Sequence, residues 1–424
     1  MKIALLGYGK EGKAAEKYFR GHEKDVSFDI YENETPEVMR ARDYSHYDLV
    51  FRSPSVPPMK LPNETSVTKY FFSHCPCQII GVTATKGKGT TCSFIKSLLD
   101  AHGADAYLVG NIGVPALEVL DKLTANSVVV YEMSSFQLWD MNESPHIAVL
   151  GTLEPDHLNV HRDYEDYLAA KSHITTFQTT DDYLIYYRDN DETVKIAEKT
   201  QAQKIAYPFP LEPRVMNSIT LLGEHNFNNA TGAIAAVSAY LGLSVGEYLE
   251  KYEDEICAGL SAFHGLPHRL ELVREYNGVR YYDDNFATNV SSLKVAIAAT
   301  SGAPTVIIIG GRDKTNYKDL PELYAALGRE NIKAIILMGE SGHELAKRYG
   351  LEDERFILTE SLMEAVAAAR EEAEKLASAT KPASEWLPDN TPIVLMSPAA
   401  ASFDMFQDVY ERGEKYQEIV RNLA

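Results

Sequence analysis

Short apolar runs alternate with helical patterns along most of the chain, which is the pattern of an α/β protein with mostly parallel sheets. Each run holds four to seven mainly apolar residues and ends at glycine or polar residues. Helical spacing of apolar positions follows several of the runs. The pattern predicts strands at 2–7, 26–31, 47–51, 79–82, 128–131, 147–151, 279–282, 305–309, 334–338 and 393–396, and helices at 164–174, 229–241, 290–299, 361–377 and 408–424.

The alternation is interrupted twice, which predicts three α/β domains, each with a mostly parallel sheet flanked by helices. A proline-rich and polar stretch follows residue 53, and a glycine-bounded junction lies at 259–265. A chain of 424 residues suits about three domains. We predict a Rossmann-like N-terminal domain at 1–76, a central P-loop domain at 77–265 and a Rossmann-like C-terminal domain at 266–424.

The stretch 77–91 reads as strand, tight glycine loop and helix. Backbone N–H groups of such a loop, with a helix N-terminus behind them, favour phosphate binding. Lys88 adds a positive charge, and the Thr90 hydroxyl is in the position that contacts Mg²⁺ in P-loops. The strict spacing is not met, since Val82 stands at the first glycine and Gly89 follows the lysine. From spacing alone, a phosphate loop and an ordinary glycine-rich turn both remain open.

Two later strands also end at residues that bind metals or phosphates. Glu132 follows the strand at 128–131, and His157 lies shortly after the strand at 147–151. In a parallel sheet both lie at the same edge as Lys88, where they and Thr90 can hold one or two Mg²⁺ ions. Taken singly, Glu132 is equally a solvated strand end, His157 a surface histidine and Lys171 a solvated helix residue.

Residues 7–12 have the G-x-G-x-x-G spacing after a strand, with Glu32 about 20 residues on. This predicts a nucleotide site in the first domain and leaves NAD, FAD and UDP open. The third predicted strand leads into Ser53, a polar position at the ligand-binding edge of an open α/β sheet.

Composition narrows the classes of partner and compartment. The formal net charge of −20 disfavours nonspecific binding to nucleic acid or anionic membrane. No apolar run approaches the roughly 20 residues that span a bilayer. The four cysteines are too few for a disulfide framework, so we expect a reduced, cytoplasmic protein. His74, Cys75 and Cys77 lack a second pair at zinc spacing and are interpreted as a linker.

Nine segments together resemble the Mur ligase family, from one end of the chain to the other. Two of them, GLPHRLELV and LMSPAAASFDMFQDVYERG, resemble the family's D-glutamate-adding branch. The others are VTATKGKGTT, GNIGVPALEVL, YEMSSFQL, PDHLNVHRDYEDYLAAK, GEHNFNNA, NGVRYYDDNFATN and GGRDK.

The resemblance implies an ATP-dependent ligase of peptidoglycan precursor synthesis. It would add D-glutamate to UDP-N-acetylmuramoyl-L-alanine through an acyl phosphate, with ATP and one or two Mg²⁺ ions. The expected partners are these small molecules, with no nucleic acid and no membrane, and the expected state is a monomer. Two alternatives remain: an amide ligase with another acceptor or substrate, and a nucleotide-binding homologue without catalysis.

The resemblance also implies a role for individual residues. The implied catalytic residues are Lys88, His157 and Lys171. The metal site would be Thr90, Glu132, His157 and Lys171, with Lys171 carbamylated. The implied ATP contacts are Thr85, Lys86, Gly87, Lys88, Gly89, Thr90, Asn226, Asn229, Arg269 and Asp284. The implied UDP-substrate contacts are Lys10, Glu11, Glu32, Ser53, Asn111, Ser134 and Gln137. The implied D-glutamate contacts are Thr288, Lys314, Ser402 and Phe403.

Several positions depart from the family pattern. Ala84 replaces a usual glycine, and its Cβ would crowd the phosphates if the residue needed a positive φ. Phe286 replaces a usual lysine, which removes a cation. The other departures are Lys86 for asparagine, Val409 for an aromatic residue and Tyr31 for an acid, although Glu32 is adjacent. Their effect on activity and acceptor choice stays open.

Overall fold

The computed structural model describes residues 1–158, 160–350, 353–377 and 391–424. Three sheets, each flanked by helices, confirm the predicted three-domain α/β fold. The chain divides into two compact units, which are described separately. The first unit comprises residues 1–218 and 227–263, and the second comprises 219–226 and 264–424. The exact domain boundaries near residues 76 and 265 stay a prediction.

The first sheet has four parallel strands in the order β2-β1-β3-β4. Its central strand is apolar, and all of its residues after Lys2 are buried. The strands are β1 (Lys2–Leu6), β2 (Ser27–Tyr31), β3 (Leu49–Arg52) and β4 (Glu64–Ser66), and the helices are α1 (Lys10–His22), α2 (Pro36–Arg40) and α3 (Val67–His74).

The second sheet has six parallel strands in the order β10-β9-β8-β5-β7-β6. Its inner strands are continuous apolar runs, as expected where helices cover both faces. The strands are β5 (Gln78–Thr83), β6 (Ala106–Gly110), β7 (Val128–Glu132), β8 (Ile147–Leu150), β9 (Tyr183–Tyr187) and β10 (Gln203–Tyr207).

Helices and two short 3₁₀ turns connect and cover this second sheet. The 3₁₀ turns are Ala116–Glu118 and Leu120–Lys122. The helices are α4 (Lys88–Ala101), α5 (Ser135–Leu138), α6 (Tyr164–Thr176), α7 (Asp191–Lys199), α8 (Pro213–Asn217), α9 (Glu224–Tyr240), α10 (Val245–Lys251) and α11 (Glu253–Ala262).

The third sheet, in the second unit, has the order β11-β12-β16-β13-β14-β15. All neighbours pair in parallel except β11 and β12, which are antiparallel. The strands are β11 (Glu271–Tyr276), β12 (Val279–Asp283), β13 (Thr305–Gly310), β14 (Ile332–Met338), β15 (Phe356–Leu358) and β16 (Ile393–Met396). The helices are α12 (Val290–Ala299), α13 (Leu320–Leu327), α14 (Gly339–Tyr349), α15 (Leu362–Ala377) and α16 (Val409–Arg421).

The structure corrects the predicted elements at several places. The strands that were not predicted are β4, β6, β9, β10, β11 and β15. All of them except β9 lie at an edge of their sheet. Helix α9 begins at Glu224, five residues before its predicted start. Asn226 therefore lies in its first turn rather than in a loop before it.

Within the described residues, no single helix has the length and apolar composition needed to cross a bilayer. The bent pair α9 and α10 meets those two criteria only when both helices are taken together.

Candidate active site

The loop between β5 and α4 has the geometry of an anion-binding turn. Gly87 has φ +81 and immediately precedes the helix. Helix α4 begins with no side-chain cap among the described residues, and its first turn carries no acid. Its N-terminal amides and its dipole therefore favour a phosphate.

Asn229 of α9 closes one side of this loop. A Cβ on Gly87 would lie 2.6 Å from the Asn229 Oδ1 atom, so only glycine fits the approach. The Thr91 hydroxyl donates to the Gly87 carbonyl at 3.0 Å and to Asn229 Oδ1 at 3.3 Å. Gly87 and Asn229, both predicted to contact ATP, are thus neighbours in the first unit.

Two lysine ammonium groups meet at one backbone carbonyl. Lys88 Nζ donates to the Ala84 and Thr85 carbonyls at 3.0 and 3.1 Å. Lys171 Nζ donates to the same Ala84 carbonyl at 2.7 Å and to Thr83 Oγ1 at 3.0 Å. The helix α6 thus brings Lys171 back to the phosphate loop, as predicted from its position in the sequence.

Lys171 is almost completely buried, with 1% of its surface exposed. Burial lowers the pKa of its amine well below the usual value, and the positive charge of Lys88 lowers it further. The charges of Asp156 and Glu132 oppose this shift. A neutral amine is a nucleophile, whereas an ammonium ion is not, so this environment favours chemistry at Lys171 Nζ.

Ala84 causes no backbone strain in the loop. Its φ is not positive, unlike that of Gly87. The side chain is buried and lies where the absent side chain of Gly151 leaves room, since a Cβ at Gly151 would come within 2.8 Å of Ala84 Cβ. The condition under which alanine would crowd the phosphates is therefore not met.

Thr85 fixes the same loop from inside. Its hydroxyl lies 2.8 Å from the Tyr167 hydroxyl and 2.9 Å from the Glu154 amide nitrogen, which donates to it. Lys86, in contrast, is exposed and pairs with Glu154 at 3.4 Å. Thr85 is thus positioned to support the loop, and Lys86 lies on its outer surface.

Glu132 ends β7, next to β5, and its carboxylate is buried. Asn111 Nδ2 donates to Glu132 Oε1 at 3.0 Å, so two predicted site residues 21 positions apart are in contact. A buried carboxylate at the carboxyl end of a strand, close enough to Lys171 to raise its pKa, fits the donor set of a Mg²⁺ site.

His157 lies on the exposed side of the site. It has φ +54, its Nε2 lies 3.6 Å from Asp156, and its ring centroid lies 5.0 Å from that of Phe136. Thr90 lies in the first turn of α4 and is half-buried. Both residues are therefore accessible to a ligand, and Gly89 precedes Thr90 in the same turn.

His161 lies close to His157 and Lys171, and the sequence analysis did not single it out. It is buried, with Nδ1 3.2 Å from Asp166 and Nε2 3.0 Å from the Ser135 hydroxyl. Its ring stacks on Phe136, and burial lowers its pKa. The segment PDHLNVHRDYEDYLAAK, which carries part of the family resemblance, contains both His157 and His161, and this second histidine was the available signal.

Glu11 of the first domain contacts Gln137 of the second. Gln137 Nε2 donates to Glu11 Oε1 at 2.7 Å, while its own Oε1 accepts from Ser134 in a capping box at α5. Burial raises the pKa of Glu11 to about 7. These three residues were predicted to bind the UDP substrate, and the structure brings them together.

A buried ion cluster lies beside this contact. Arg52, with no exposed surface, places Nη2 2.6 Å from Asp140 Oδ1, and Lys69 Nζ lies 2.8 Å from the other oxygen. Arg52 Nε also lies 3.5 Å from Glu64. The cluster joins residues of the first sheet to the loop after α5 in the same unit.

The remaining UDP-site predictions lie around the first sheet. Ser53 is buried and donates to the Gly7 carbonyl at 2.9 Å, which ties β3 to the glycine turn. Lys10 and Glu32 are exposed. Tyr31 shares a 2.6 Å hydrogen bond with the Tyr47 hydroxyl.

In the second unit, Asp284 is a buried carboxyl group after β12. Ser397 donates to its Oδ2 at 2.7 Å, and the Leu270 amide donates to Oδ1 at 3.3 Å. Burial raises its pKa to about 7. The exposed Arg269 lies over the ring of Phe286 at 5.4 Å.

The other predicted residues of this unit differ in how exposed they are. Thr288 is half-buried, Lys314 is exposed, and Phe403 is 62% exposed. Ser402 is buried, and its hydroxyl has no hydrogen-bond partner among the described residues. Val409 begins α16. Asn226 is buried, and its side-chain amide donates to the Leu222 carbonyl at 2.8 Å.

A second polar cluster that the sequence did not reveal contains His268, Glu271 and Asp283, whose ligand atoms lie within 4.8 Å of one another. Gln417 Nε2 donates to Glu271 at 2.8 Å and to Asp283 at 2.9 Å. An amide N–H₂ group inside the cluster opposes a cation, so we interpret it as a hydrogen-bonded support for the turn before β11.

Comparison with known proteins identifies the family of the chain. Residues 82–213 match the family model described as Mur ligase middle domain, and residues 268–378 match that described as Mur ligase, glutamate ligase domain. A protein named UDP-N-acetylmuramoylalanine--D-glutamate ligase from Acetivibrio thermocellus is 32% identical over 89% of this chain and 83% of its own length. A protein of the same name from Clostridium botulinum is 29% identical over 99% and 93%.

Solved structures with low sequence identity share the fold. UDP-N-acetylmuramate-alanine ligase from Thermotoga maritima superposes with a TM-score of 0.57 at 16% identity, over 99% of both chains. MurF ligase from the same organism, in complex with ADP, gives 0.53 at 14% identity over 89% of this chain and 90% of its own. By its sequence relatives and its matched domains, the chain belongs to the Mur ligase family.

Proposed function

We propose that this ligase uses ATP to join D-glutamate to UDP-N-acetylmuramoyl-L-alanine in cytoplasmic peptidoglycan precursor synthesis. The names of the near full-length relatives support the substrates. The observation that carries the ATP chemistry is the convergence of Lys88 and Lys171 on the Ala84 carbonyl beside the Gly87 turn. Nucleotide-linked substrates suit the cytoplasm, and the net charge of −20 disfavours nucleic acid and anionic membrane as partners. We propose a monomer.

The reaction needs ATP because a carboxylate is a poor electrophile. The substrate carboxylate attacks the γ-phosphorus to form an acyl phosphate and ADP, and the D-glutamate amine then attacks the acyl carbon and displaces phosphate. In this proposal the α4 amides and Lys88 bind the transferred phosphate and neutralise its charge. Lys88 must leave its two loop carbonyls to do so, and phosphate oxygens are stronger acceptors for its ammonium.

A bound Mg²⁺ would supply charge neutralisation at the phosphate oxygens. The residues proposed to hold it are Thr90, Glu132, His157 and Lys171, because a hydroxyl, a carboxylate and an imidazole at one sheet edge are suitable donors. Lys171 fits this set only as an anion. Its neutral amine can add CO₂, forming an N–C bond and releasing a proton, which gives a carbamate.

Carbamylation would also change the contacts of Lys171. The amine donates to the Ala84 carbonyl at 2.7 Å, and a carbamate oxygen would meet that carbonyl as a second acceptor. The carbamate oxygens would therefore point away from the Ala84 carbonyl, and the one N–H left on Nζ could still donate to it.

The residues proposed to bind the UDP-linked substrate lie in the first unit of the chain. We propose that Glu11, Ser134, Gln137 and Asn111 line the path of the muramoyl-alanine substrate. Gln137 bonds both Glu11 and Ser134, and Asn111 bonds Glu132, two residues before Ser134. Lys10, Glu32 and Ser53 are proposed for the UDP group. The roles proposed for Arg269, Asp284, Thr288, Lys314, Ser402 and Phe403 rest on the family resemblance.

A second candidate is the same ligation with a different acceptor. One observation favours it: Phe286 stands where the family usually has a lysine. The Arg269 guanidinium lies over this ring at 5.4 Å. Loss of the lysine charge at this position would suit an acceptor less anionic than D-glutamate.

One assay separates the candidates. The protein is incubated with ATP, Mg²⁺, UDP-N-acetylmuramoyl-L-alanine and one amino acid at a time, and phosphate release is compared with product mass. Release that requires D-glutamate and yields a product heavier by one glutamate residue supports the proposal. Release with another amino acid supports the second candidate. ATP binding without release under any acceptor contradicts both.

A further inference from the structure

Two cysteines flank Pro76 at the junction between α3 and β5, at the opposite end of β5 from the phosphate loop. The Cys75 and Cys77 sulfur atoms lie 3.6 Å apart. Cys75 caps α3 with extended backbone angles, φ −69 and ψ 121, and residues two apart in an extended chain project to the same side. The pair is therefore a preformed dithiol, distinct from the active site.

The dithiol is reachable from solvent. Both cysteines are partly exposed, whereas Cys92 is buried. An open cleft of about 370 Å³ lies beside Cys77 and is also lined by Gln78, Glu143 and His146. A small disulfide reagent can thus approach the pair without entering the ligase site.

The pair lacks the ligands of a zinc site. Among the described residues, no third histidine, cysteine or carboxylate joins the two thiols in a metal-ligand cluster. The two sulfurs instead share one hydrogen bond, which lowers the pKa of Cys75 and raises that of Cys77. The order in which Cys75 attacks first and Cys77 follows is tested by the variants described below.

We propose that Cys75 and Cys77 form a thiol–disulfide exchange site that reacts with low-molecular-weight disulfides. The Cys75 thiolate attacks one sulfur of the reagent, forming a mixed disulfide and releasing one thiolate. Cys77 then loses its proton and attacks Cys75 Sγ, forming the Cys75–Cys77 bond and releasing the second thiolate. Both cysteines are oxidised, and one reagent disulfide is reduced to two thiols.

The product would be a reversible bond rather than a structural one. The sulfurs need to approach from 3.6 Å to about 2.05 Å. A disulfide between residues so close in sequence closes a tight ring, and strained disulfides are readily reduced. The bond would rigidify the short linker between the last helix of the first sheet and the central strand of the second.

The experiment uses the full chain and glutathione disulfide. After treatment, free thiols are alkylated and the protein is digested with trypsin. The peptide of residues 70–86 contains Cys75 and Cys77 and neither of the other cysteines. We expect this peptide without alkylation and lighter by two hydrogens, and we expect dithiothreitol to restore both alkylation sites.

Two variants test the order of the steps, and a third serves as a control. Cys77→Ser should accumulate a stable glutathione adduct on Cys75, and Cys75→Ser should react with glutathione disulfide about tenfold more slowly. Cys257→Ser, a partly exposed cysteine elsewhere, should leave the 70–86 disulfide unchanged. The wild-type peptide result does not depend on the folding of any variant. Full alkylation of both cysteines, a persistent glutathione adduct on the wild-type peptide, or a link to another chain would overturn the proposal.

Discussion

Lys171 is the residue whose charge state matters most to the proposed chemistry. It is buried beside Lys88, and both amines use the same carbonyl. Two ammonium ions at one buried acceptor repel each other, so the site is most stable when one amine is neutral or carries a carbamate. The sequence placed Lys171 at this edge of the sheet, but its burial depends on how α6 packs and is visible only in the structure.

We predict that Lys171→Ala lowers the rate of phosphate release by about 10³-fold, because a charge-stabilising group is lost. Added acetate should restore part of the activity by occupying the vacated space as an anion. Lys96→Ala, which removes a partly exposed lysine on α4 that pairs with Asp100, serves as the control and should keep full activity. A Lys171→Ala enzyme as active as the wild type would remove Lys171 from the site.

The raised pKa of Glu11 predicts that the stability of the folded chain depends on pH. Its pKa is raised from 4.5 to about 7, so between these values the folded chain holds a proton that the unfolded chain releases. The free energy of unfolding contributed by this group is therefore greatest below about pH 4 and falls as pH rises to about 7, by about 3 kcal/mol.

Glu11→Gln tests this dependence, because the amide stays neutral at every pH. Thermal unfolding of the variant and the wild type should coincide near about pH 4, and the variant should unfold at a higher temperature near about pH 8. Glu16→Gln on the same helix is the control. The pKa of Glu16 is lowered by its hydrogen bonds to Tyr8 and Arg20, so this variant should gain no stability at high pH. Equal behaviour of the two variants would contradict the assignment.

At the scale of elements, the unit formed by β5, the loop and α4 depends on a left-handed glycine. Gly87 and Gly103 both have positive φ, +81 and +70, but only Gly87 faces a close neighbour. A Cβ on Gly87 would meet Asn229, while a Cβ on Gly103 would meet nothing within 4 Å. Substitutions at the two positions therefore distinguish the cost of backbone strain alone from the effect of a changed loop shape.

We predict that Gly103→Ala lowers the free energy of unfolding by about 1–2 kcal/mol and leaves ATP affinity unchanged. Gly87→Ala carries the same strain and in addition displaces Asn229, so ATP should bind at least about tenfold more weakly, a loss of about 1.4 kcal/mol. Isothermal titration with ATP and Mg²⁺ measures the difference. Equal ATP affinity in both variants would show that the Gly87 turn does not bind the nucleotide.

The sequence predicted the inner strands and missed the outer ones for a physical reason. Strands β5, β7 and β8 are continuous apolar runs because helices cover both of their faces. Edge strands such as β6 and β10 pair on one side only and are partly exposed, so their patterns are mixed. The antiparallel pairing of β11 depends on a turn at 277–278 that the apolar pattern does not encode.

The positions of some predicted site residues could likewise be read from the sequence, whereas their roles stay predictions. Glu132, Lys88 and Lys171 follow from strand and helix positions. The contact between Glu11 and Gln137 joins residues 126 positions apart and depends on how two sheets pack, which no local pattern specifies. His161 was missed because a buried histidine and a surface histidine look alike in sequence.

At the scale of the whole molecule, the first unit contains two sheets held by a buried ion cluster. Asp140 bonds Arg52 at 2.6 Å and Lys69 at 2.8 Å. Arg52 is completely buried, and a buried cation that loses its partner is strongly destabilising. The cluster thus stabilises the first unit and fixes the position of Glu11 against Gln137.

We predict that Asp140→Asn lowers the free energy of unfolding of the first unit by about 3 kcal/mol. Asp100→Asn, which neutralises one exposed ion pair with Lys96, should cost less than about 0.5 kcal/mol. Denaturant unfolding followed by circular dichroism compares the two. A small effect at both positions would mean that packing of apolar side chains alone joins the sheets.

The central claim is that the substrate carboxylate is activated by direct transfer of the γ-phosphate. Both oxygens of the L-alanine carboxylate are labelled with ¹⁸O, and the reaction is run with ATP, Mg²⁺ and D-glutamate. Because the amine displaces phosphate from an acyl phosphate, each released phosphate is predicted to carry one ¹⁸O atom from the substrate. Released phosphate without label, at the same yield of amide product, would contradict the account.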